Sequence, residues 1–222
     1  MKRLGLMVCL LSVFGALPAL ASPLHIVPAK PGAPPRPFFV IWLSGDGGWG
    51  KMEQEEADRL AAAGAPIVGV STLRYYAHRR TSAEAAAFVA SLAAQYGAQF
   101  GRTHFVLVGF SFGAGVAPFI VNALPPAIRE QLLLTALLSP GVRADMEVGP
   151  TSWLNLESGP QVAPEIARMA PARVLCIGDV GVFQDVCPPA STPTLTALRL
   201  GGGHVLHNQY DAIARAILAA AR

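Results

Sequence analysis

The residues best suited to chemistry lie around Ser111. It occupies the centre of a G-x-S-x-G pattern whose glycines are Gly109 and Gly113. An apolar, β-prone run from Thr103 to Phe110 precedes this serine, and a helix pattern from Ala114 to Leu124 follows it. A serine at a sharp turn from strand to helix exposes its Oγ, and the small glycines let strand and helix pack closely beside it. The pattern therefore predicts a nucleophilic serine that forms a covalent acyl intermediate.

Such a serine needs a base, and His204 is the best-placed histidine. A serine hydroxyl is a poor nucleophile at neutral pH until a base takes its proton, and an acid must orient that base. Of the five histidines, only His204 and His207 follow Ser111. His204 comes directly after a run of three glycines at the end of the last predicted strand. We therefore predict His204 as the base and keep His207 as the alternative.

The acid is expected in the loop that follows the predicted strand Arg173–Ile177. That loop contains Asp179 and Asp185. Asp179 comes almost directly off the strand, whereas Asp185 lies beside Cys187. The length of the loop does not decide between them, so both aspartates stay candidates.

The glycine-rich segment Ser44–Gly50 is predicted to stabilise the oxyanion of acyl transfer. Backbone N–H donors at this place contribute about 3–4 kcal/mol each. We predict that the two donors are the N–H groups of Asp46 and Phe112, and that Gly45 and Gly47 lie against the substrate. A phosphate-binding loop is the alternative, but the segment lacks the G-x-G-x-x-G spacing and the lysine of a P-loop.

A further candidate substrate contact is Arg74 with Tyr75, which follow the predicted strand Pro66–Ser71. An arginine at this place can hold an anionic group such as a phosphodiester. Pairing of Arg74 with a neighbouring carboxylate explains its presence equally well.

Strands and helices alternate along the chain, which predicts an α/β fold: a mostly parallel sheet with helices on both faces. Ligands bind such sheets at the carboxyl ends of the strands, where all of these candidates fall. The serine elbow and the chain order serine, acid, histidine are those of the α/β-hydrolase fold. The predicted strands are Phe38–Leu43, Pro66–Ser71, Thr103–Phe110, Leu132–Leu138, Arg173–Ile177 and Thr194–Leu200. The predicted helices are Lys51–Ala63, Thr81 to about Gln95, Ala114–Leu124 and Gln209–Ala221.

The N-terminus has the layout of a secretory signal peptide. Lys2 and Arg3 form a short basic region, the stretch Leu4–Leu17 is apolar, and Ala19 and Ala21 supply small residues for cleavage after Ala21. The apolar stretch is shorter than the roughly 20 residues that a membrane-spanning helix needs, which favours a cleaved signal over an anchor.

The composition predicts one folded domain after the signal peptide. The chain has 222 residues, of which 52% are apolar and 14% charged, enough for one domain with a full core. Five prolines within Pro28–Pro37 predict an extended leader without a helix or a paired strand. The expected organisation is a signal peptide over 1–21, a leader over 22–37 and the domain over 38–222.

The charge balance does not indicate a nucleic-acid partner. Loss of Lys2 and Arg3 with the signal lowers the basic count from 17 to 15, against 14 acidic residues. No basic run is longer than Arg79–Arg80. The predicted chemistry needs neither a cofactor nor a metal.

Two cysteines remain after signal cleavage, because Cys9 lies within the signal. Cys176 and Cys187 form an even pair in an exported protein, which predicts a disulfide. Two buried free thiols are the alternative.

Several segments together resemble the VirJ/AcvB family of bacterial virulence-associated periplasmic proteins. They are Ser44–Trp49, Leu73–Tyr75, Val108–Ala114, Leu124–Pro126, Cys176 with Cys187–Pro188, and Gly202–His204 followed by Tyr210–Asp211. The resemblance runs from about Phe38 to the C-terminus. It implies an α/β-hydrolase with a minimal lid or none, exported to the periplasm. It also implies hydrolysis of the ester between an amino acid, chiefly lysine, and phosphatidylglycerol.

The resemblance places the family's nucleophile on Ser111 and its histidine on His204. The family's acid loop resembles G-x-x-x-x-D-x-x-C-P, but the segment Gly178–Cys187 is one residue longer here. Counting back from the cysteine favours Asp185 as the acid and leaves Asp179 open. With a lysyl substrate, the Asp46 carboxylate would attract the cationic ammonium group.

Two other functions fit the same sequence. One is a general carboxylesterase acting on small soluble esters. The other is a non-catalytic periplasmic adaptor, partner to a secretion machinery, because fold does not determine function. A lipid substrate, by contrast, implies transient contact with a membrane surface. The irregular, apolar segment Pro140–Pro164, with Trp153 and Leu154, would form either a lipid-facing mouth or ordinary surface packing.

Overall fold

One seven-stranded sheet organises the part of the chain that the computed structural model describes, namely residues 22–149, 159–179, 186–206 and 209–222. The strand order is β1-β3-β2-β4-β5-β6-β7. β1 pairs antiparallel with β3, and every other neighbouring pair is parallel. The strands are β1 (Leu24–Val27), β2 (Phe38–Leu43), β3 (Ile67–Val70), β4 (His104–Phe110), β5 (Leu132–Leu138), β6 (Val174–Asp179) and β7 (Leu195–Leu200).

Helices cover both faces of the sheet, as predicted. They are α1 (Lys51–Ala62), α2 (Thr72–Tyr75), α3 (Ser82–Phe100), α4 (Phe112–Ala123), α5 (Pro126–Arg129), α6 (Val162–Arg168) and α7 (Tyr210–Ala220). α3, α4 and α6 pack on one face, whose core includes Phe39 and Ile41 of β2. α1 and α7 pack on the other face, against Phe38 and Val40. Alternate residues of one strand thus supply two separate cores, because successive side chains of a strand point to opposite faces.

The six predicted strands are confirmed to within two residues at each end, and the four predicted helices also form. Two helix boundaries differ in a way that matters. α3 continues to Phe100 and ends at Gly101, whose φ of +62° suits a glycine that closes a helix. α4 begins at Phe112, directly after Ser111, so the serine lies at the very start of a helix.

The N-terminal segment contains one strand that the sequence did not predict. β1 extends the sheet beyond β3, with Leu24 opposite Val70. Within Pro28–Pro37 the chain forms neither helix nor strand, and it runs along α1. The Lys30 N–H donates to the Ala61 carbonyl over 3.0 Å, and the Arg36 N–H donates to the Gly64 carbonyl over 3.1 Å. These bonds fasten the segment to the domain.

Several sequence predictions concern residues outside the described ranges. They are the signal peptide over 1–21, the acid candidate Asp185, the alternative base His207, and Trp153 and Leu154. Within the described ranges, no helix combines the length and the apolar character needed to cross a bilayer.

Candidate active site

Ser111 sits at a strained turn between β4 and α4. Its φ is +51° and its ψ is −113°, a backbone conformation that residues other than glycine rarely adopt. A side chain on Gly109 would collide with the Gly113 carbonyl, and one on Gly113 would collide with the Leu43 carbonyl. The two glycines of the motif are therefore required by close backbone packing. The strain is of the kind that concentrates at functional sites.

The structure brings His204 to Ser111 across 93 residues of sequence. His204 Nε2 lies 2.7 Å from Ser111 Oγ, and the imidazole ring centre lies 5.6 Å from that of Phe110. His204 is exposed, and the fully buried Leu206 anchors the same loop. In this geometry Nε2 can accept the serine proton when the ring carries its own proton on Nδ1.

Of the two acid candidates, Asp185 lies outside the described residues. Asp179 is the last residue of β6 and is buried. The predicted disulfide between Cys176 and Cys187 is present, with 5.5 Å between the Cα atoms. It ties β6 to the far end of the loop that carries Asp185. The identity of the acid stays a prediction.

The glycine-rich loop lies directly beside Ser111. A Cβ atom added to Gly45 would lie 3.7 Å from the Ser111 Cβ. The loop closes as a tight turn, in which the Gly48 N–H donates to the Gly45 carbonyl over 3.0 Å. Among the described residues, the N–H groups of Asp46 and Phe112 have no hydrogen-bond acceptor. Both remain free to bind an oxyanion, and the positive end of the α4 dipole adds to the attraction.

Buried side chains that the sequence analysis missed hold this loop. Ser44 and Thr72 are fully buried, and the Thr72 N–H donates to Ser44 Oγ over 3.0 Å. The Thr72 hydroxyl donates to the Ser44 carbonyl over 3.2 Å and also to the Gly45 carbonyl. From the elbow side, the Gly113 N–H donates to the Ser44 carbonyl over 3.1 Å. The two halves of the predicted oxyanion site are thus bonded to one another.

A third missed contact comes from Glu53 in the first turn of α1. Its two carboxylate oxygens accept the N–H groups of Gly45 and Gly50. The signal available in the sequence was a glutamate three residues after Gly50 at the predicted helix start. Nothing in that pattern indicates the second bond, to Gly45.

Trp49 and His25 cover the outer side of the loop. The Trp49 ring lies where a side chain on Gly69 of β3 would be, so only glycine fits there. The His25 ring stacks on it with 5.0 Å between the ring centres. Burial, followed by the nearby Arg74 guanidinium, lowers the pKa of His25. β1 therefore contacts the glycine-rich loop through His25.

The remaining predicted substrate contacts lie at the same edge of the sheet. Arg74 and Gly47 are exposed. The Tyr75 ring stacks on Phe88 of α3 at 4.2 Å, and this burial raises the pKa of its hydroxyl. The Arg80 guanidinium carbon lies 5.2 Å above the same ring. Tyr75 thus packs largely against α3, and the substrate roles of these residues stay predictions.

Glu56, one helical turn after Glu53, is fully buried. Within the described part of the chain, neither of its carboxylate oxygens has a hydrogen-bond partner. Burial raises its pKa from the ordinary 4.5 to about 9, against the opposing effect of Arg59. Glu56 is therefore a neutral acid at physiological pH.

Solved structures share this fold at low sequence identity. XC6422 from Xanthomonas campestris, an α/β serine hydrolase without a lid, is 16% identical, with 89% of this chain and 86% of that one covered and a TM-score of 0.56. Est1E from Butyrivibrio proteoclasticus is 12% identical over 87% and 90% of the two chains, with a TM-score of 0.60. An enol-lactonase from Burkholderia xenovorans LB400 is 10% identical over 89% and 95%, also at 0.60. The predicted α/β-hydrolase fold is confirmed.

The family is established by sequence. No curated protein matches the chain. A family model described as bacterial virulence protein (VirJ) matches residues 37–222, which include every described element except β1. The chain therefore belongs to the VirJ family of bacterial virulence proteins, and its domain has the α/β-hydrolase fold.

Proposed function

We propose that the protein is a periplasmic serine hydrolase that cleaves the aminoacyl ester, chiefly lysyl, of phosphatidylglycerol. The observation that carries the hydrolase part is the 2.7 Å contact between His204 Nε2 and Ser111 Oγ at a strained elbow. The backbone N–H groups of Asp46 and Phe112, which have no acceptor among the described residues, belong to the loop and the helix that flank this serine. Nucleophile, base and oxyanion donors thus occupy one edge of the sheet.

The proposed reaction has two halves. In the first, His204 Nε2 takes the Ser111 proton while Oγ attacks the aminoacyl carbonyl carbon. The resulting oxyanion binds the two N–H groups, and the ester C–O bond then breaks as His204 protonates the departing glycerol oxygen. In the second, His204 deprotonates a water molecule that attacks the acyl-enzyme. The amino acid leaves, and the proton returns to Ser111. Asp185, with Asp179 as the alternative, orients His204.

Exposed apolar side chains around the site support a lipid substrate. Leu73, Val142 and Val205 are 37%, 41% and 53% exposed, and they are three of the four exposed large hydrophobic side chains in the described ranges. Val205 is next to His204, and Leu73 lies against Gly48 of the glycine-rich loop. Val142 follows β5 at the same edge. Exposed apolar patches that border a site occur where proteins contact membranes, ligands or other proteins.

Charged groups near the loop match the two ends of the proposed headgroup. Asp46 lies on the glycine-rich loop and would attract the lysyl ammonium, while the exposed Arg74 would attract the phosphodiester. Export to the periplasm is supported by the disulfide and by the signal-like N-terminus.

The direct test is hydrolysis of lysyl-phosphatidylglycerol in anionic vesicles by the purified protein. We expect release of free lysine by the wild type and none by Ser111→Ala. Short nitrophenyl esters serve as the competing substrates. A kcat/KM for those soluble esters above that for the lipid would favour a general carboxylesterase. Lysine release by Ser111→Ala equal to that by the wild type would contradict the proposal.

A cellular test separates catalysis from an adaptor role. Deletion of the gene is expected to raise the level of aminoacyl-phosphatidylglycerol, and the wild type should restore it. Failure of Ser111→Ala to restore it would support catalysis. Equal restoration by Ser111→Ala would favour the non-catalytic, secretion-associated adaptor.

A further inference from the structure

Glu53 connects the two ends of the glycine-rich loop. Its Oε1 accepts the Gly45 N–H over 3.2 Å, and its Oε2 accepts the Gly50 N–H over 3.0 Å. The residue is only 4% exposed. One carboxylate therefore bonds two backbone donors on either side of the turn that contains Asp46.

The bond to Gly45 decides which N–H groups the turn leaves free. In a four-residue turn closed from its fourth to its first residue, the N–H groups of the two central residues have no partner in the turn. Here the closing bond runs from Gly48 to Gly45, so the central residues are Asp46 and Gly47. Glu53 engages the N–H of Gly45, which would otherwise be a third donor beside Ser111. The N–H groups of Asp46 and Gly47 then remain as the donors of the turn.

We propose that Glu53 is a positioning residue whose carboxylate fixes the Gly45 and Gly50 peptides so that the Asp46 N–H faces the oxyanion. This inference rests on the proposed serine hydrolase activity. Glu53 itself touches the loop and not the reacting atoms. Glu53 affects the reaction by orienting the Asp46 N–H group. A small error in that orientation lowers the rate, because the N–H must point at the oxyanion of the transition state.

The chemistry of the contact requires a carboxylate. Each of its two oxygens receives an N–H, and glutamine offers only one oxygen and presents an NH₂ group in place of the other. Glu53→Gln therefore keeps the size of the side chain while breaking one of the two bonds. Glu53→Asp keeps the charge and both oxygens but is one methylene shorter, so it cannot reach both peptides in the same way.

The chain supplies a matched control in Glu84. It has the same position in the first turn of α3, where Glu84 Oε2 accepts the Thr81 N–H over 2.7 Å. Among the residues that the structure describes, its side chain bonds only the backbone and the hydroxyl of Thr81. Glu84→Gln thus makes the same substitution at an equivalent helix start without touching the glycine-rich loop.

The test is the rate at which a fluorophosphonate phosphonylates Ser111 with loss of fluoride, followed by intact mass, in the wild type, Glu53→Gln, Glu53→Asp and Glu84→Gln. The final stoichiometry is recorded along with kcat and KM for a short nitrophenyl ester. We expect Glu53→Gln and Glu53→Asp to react about 10- to 100-fold more slowly, with labelling still approaching one adduct per chain and KM within about threefold. Glu84→Gln is expected to react at the wild-type rate.

The outcomes are distinct. A wild-type rate in both Glu53 variants, with fewer labelled chains, would mean that Glu53 only supports folding, and this would overturn the inference while leaving the proposed function intact. Failure of both variants to fold would likewise give Glu53 a purely structural role and would overturn the inference. A wild type that is neither labelled nor active would remove the proposed function, and the inference with it.

Discussion

The two sides of Ser111 are built in different ways. On the side of the glycine-rich loop, the fully buried Ser44 and Thr72 and the nearly buried Glu53 fasten the backbone by hydrogen bonds. On the opposite side, His204 and Val205 are exposed, and they follow three consecutive glycines. Leu206, fully buried, anchors that stretch in the core, and the Gln209 side-chain amide donates to the Gly201 carbonyl. Buried polar side chains thus fix the donor side, whereas the base side presents exposed residues on a glycine-rich stretch.

This difference matches the tasks proposed for the two sides, which are oxyanion binding and proton transfer. Donors for an oxyanion are effective when their direction is set before the charge develops, since no reorganisation is then needed. A base that passes a proton from the nucleophile to the leaving group must serve two partners in turn. Substitutions on the donor side should therefore affect both stability and rate, whereas substitutions on the base side should affect mainly rate.

The largest effect is expected from His204→Ala. Loss of the base should lower kcat by about 10⁴- to 10⁶-fold, because Ser111 then has no proton acceptor. The exposed position of His204 predicts a melting temperature close to that of the wild type. Steady-state kinetics and thermal unfolding of the same preparation measure both. A large fall in melting temperature would show that the base side is also a structural support.

The second-largest effect on kcat is expected from substitution of the acid. Asp185→Asn is expected to lower kcat by about 10⁴-fold, because a carboxylate that holds the base in its correct tautomer is lost. Asp179→Asn, at the buried end of β6, is expected to lower kcat much less. Kinetics of the two variants side by side decide the assignment. The reverse ranking would move the acid to Asp179.

A smaller effect is expected from Thr72→Val on the donor side. The variant removes a buried hydroxyl that bonds the carbonyls of Ser44 and Gly45. We expect a loss of about 1–3 kcal/mol in the free energy of unfolding, with a fall in kcat of roughly tenfold. The exposed Thr103→Val serves as the control, with a change below about 0.5 kcal/mol. If Thr72→Val unfolds like the wild type, the donor side is not fixed by these bonds.

The smallest effect on activity is expected from Glu56→Gln, which changes the pH dependence of stability. The folded-state pKa of about 9 lies above the ordinary 4.5, so the folded protein keeps a proton that the unfolded chain releases. This proton contributes its full stabilisation below pH 4.5, and the contribution is lost as the pH rises toward 9. In that range the free energy of unfolding falls by up to about 1.4 kcal/mol per pH unit. Denaturant unfolding between pH 5 and 9, in about one-unit steps, should show this slope in the wild type and a flatter curve in Glu56→Gln. Parallel curves would contradict the burial of a protonated Glu56.

Much of the fold was predictable because the strands are continuous apolar runs. β2 and β5 were predicted residue for residue, since each is rich in apolar residues and has sharp boundaries. β1 was missed because Leu24–Val27 has only four residues and directly precedes the proline-rich stretch. Its pairing depends on the distant β3, which no local pattern reveals.

The site was predictable where chemistry restricts the residue type. Ser111 and His204 were identified by neighbouring glycines and by their places at strand ends, and the structure brings them into contact. The buried supports were not predictable in this way. Glu53 and Glu56 occur in a charged helix segment that resembles a solvated surface, and only the packing of α1 shows that both are buried.

Labelling of the wild-type protein by a fluorophosphonate, with the modified residue mapped by peptide mass spectrometry, tests directly whether Ser111 and His204 form a catalytic pair. We expect one adduct per chain, on Ser111, with none in Ser111→Ala and labelling at least about 10³-fold slower in His204→Ala. Folded wild-type protein that stays unlabelled, or that is labelled equally fast without His204, would contradict the claim that these two residues form a catalytic pair.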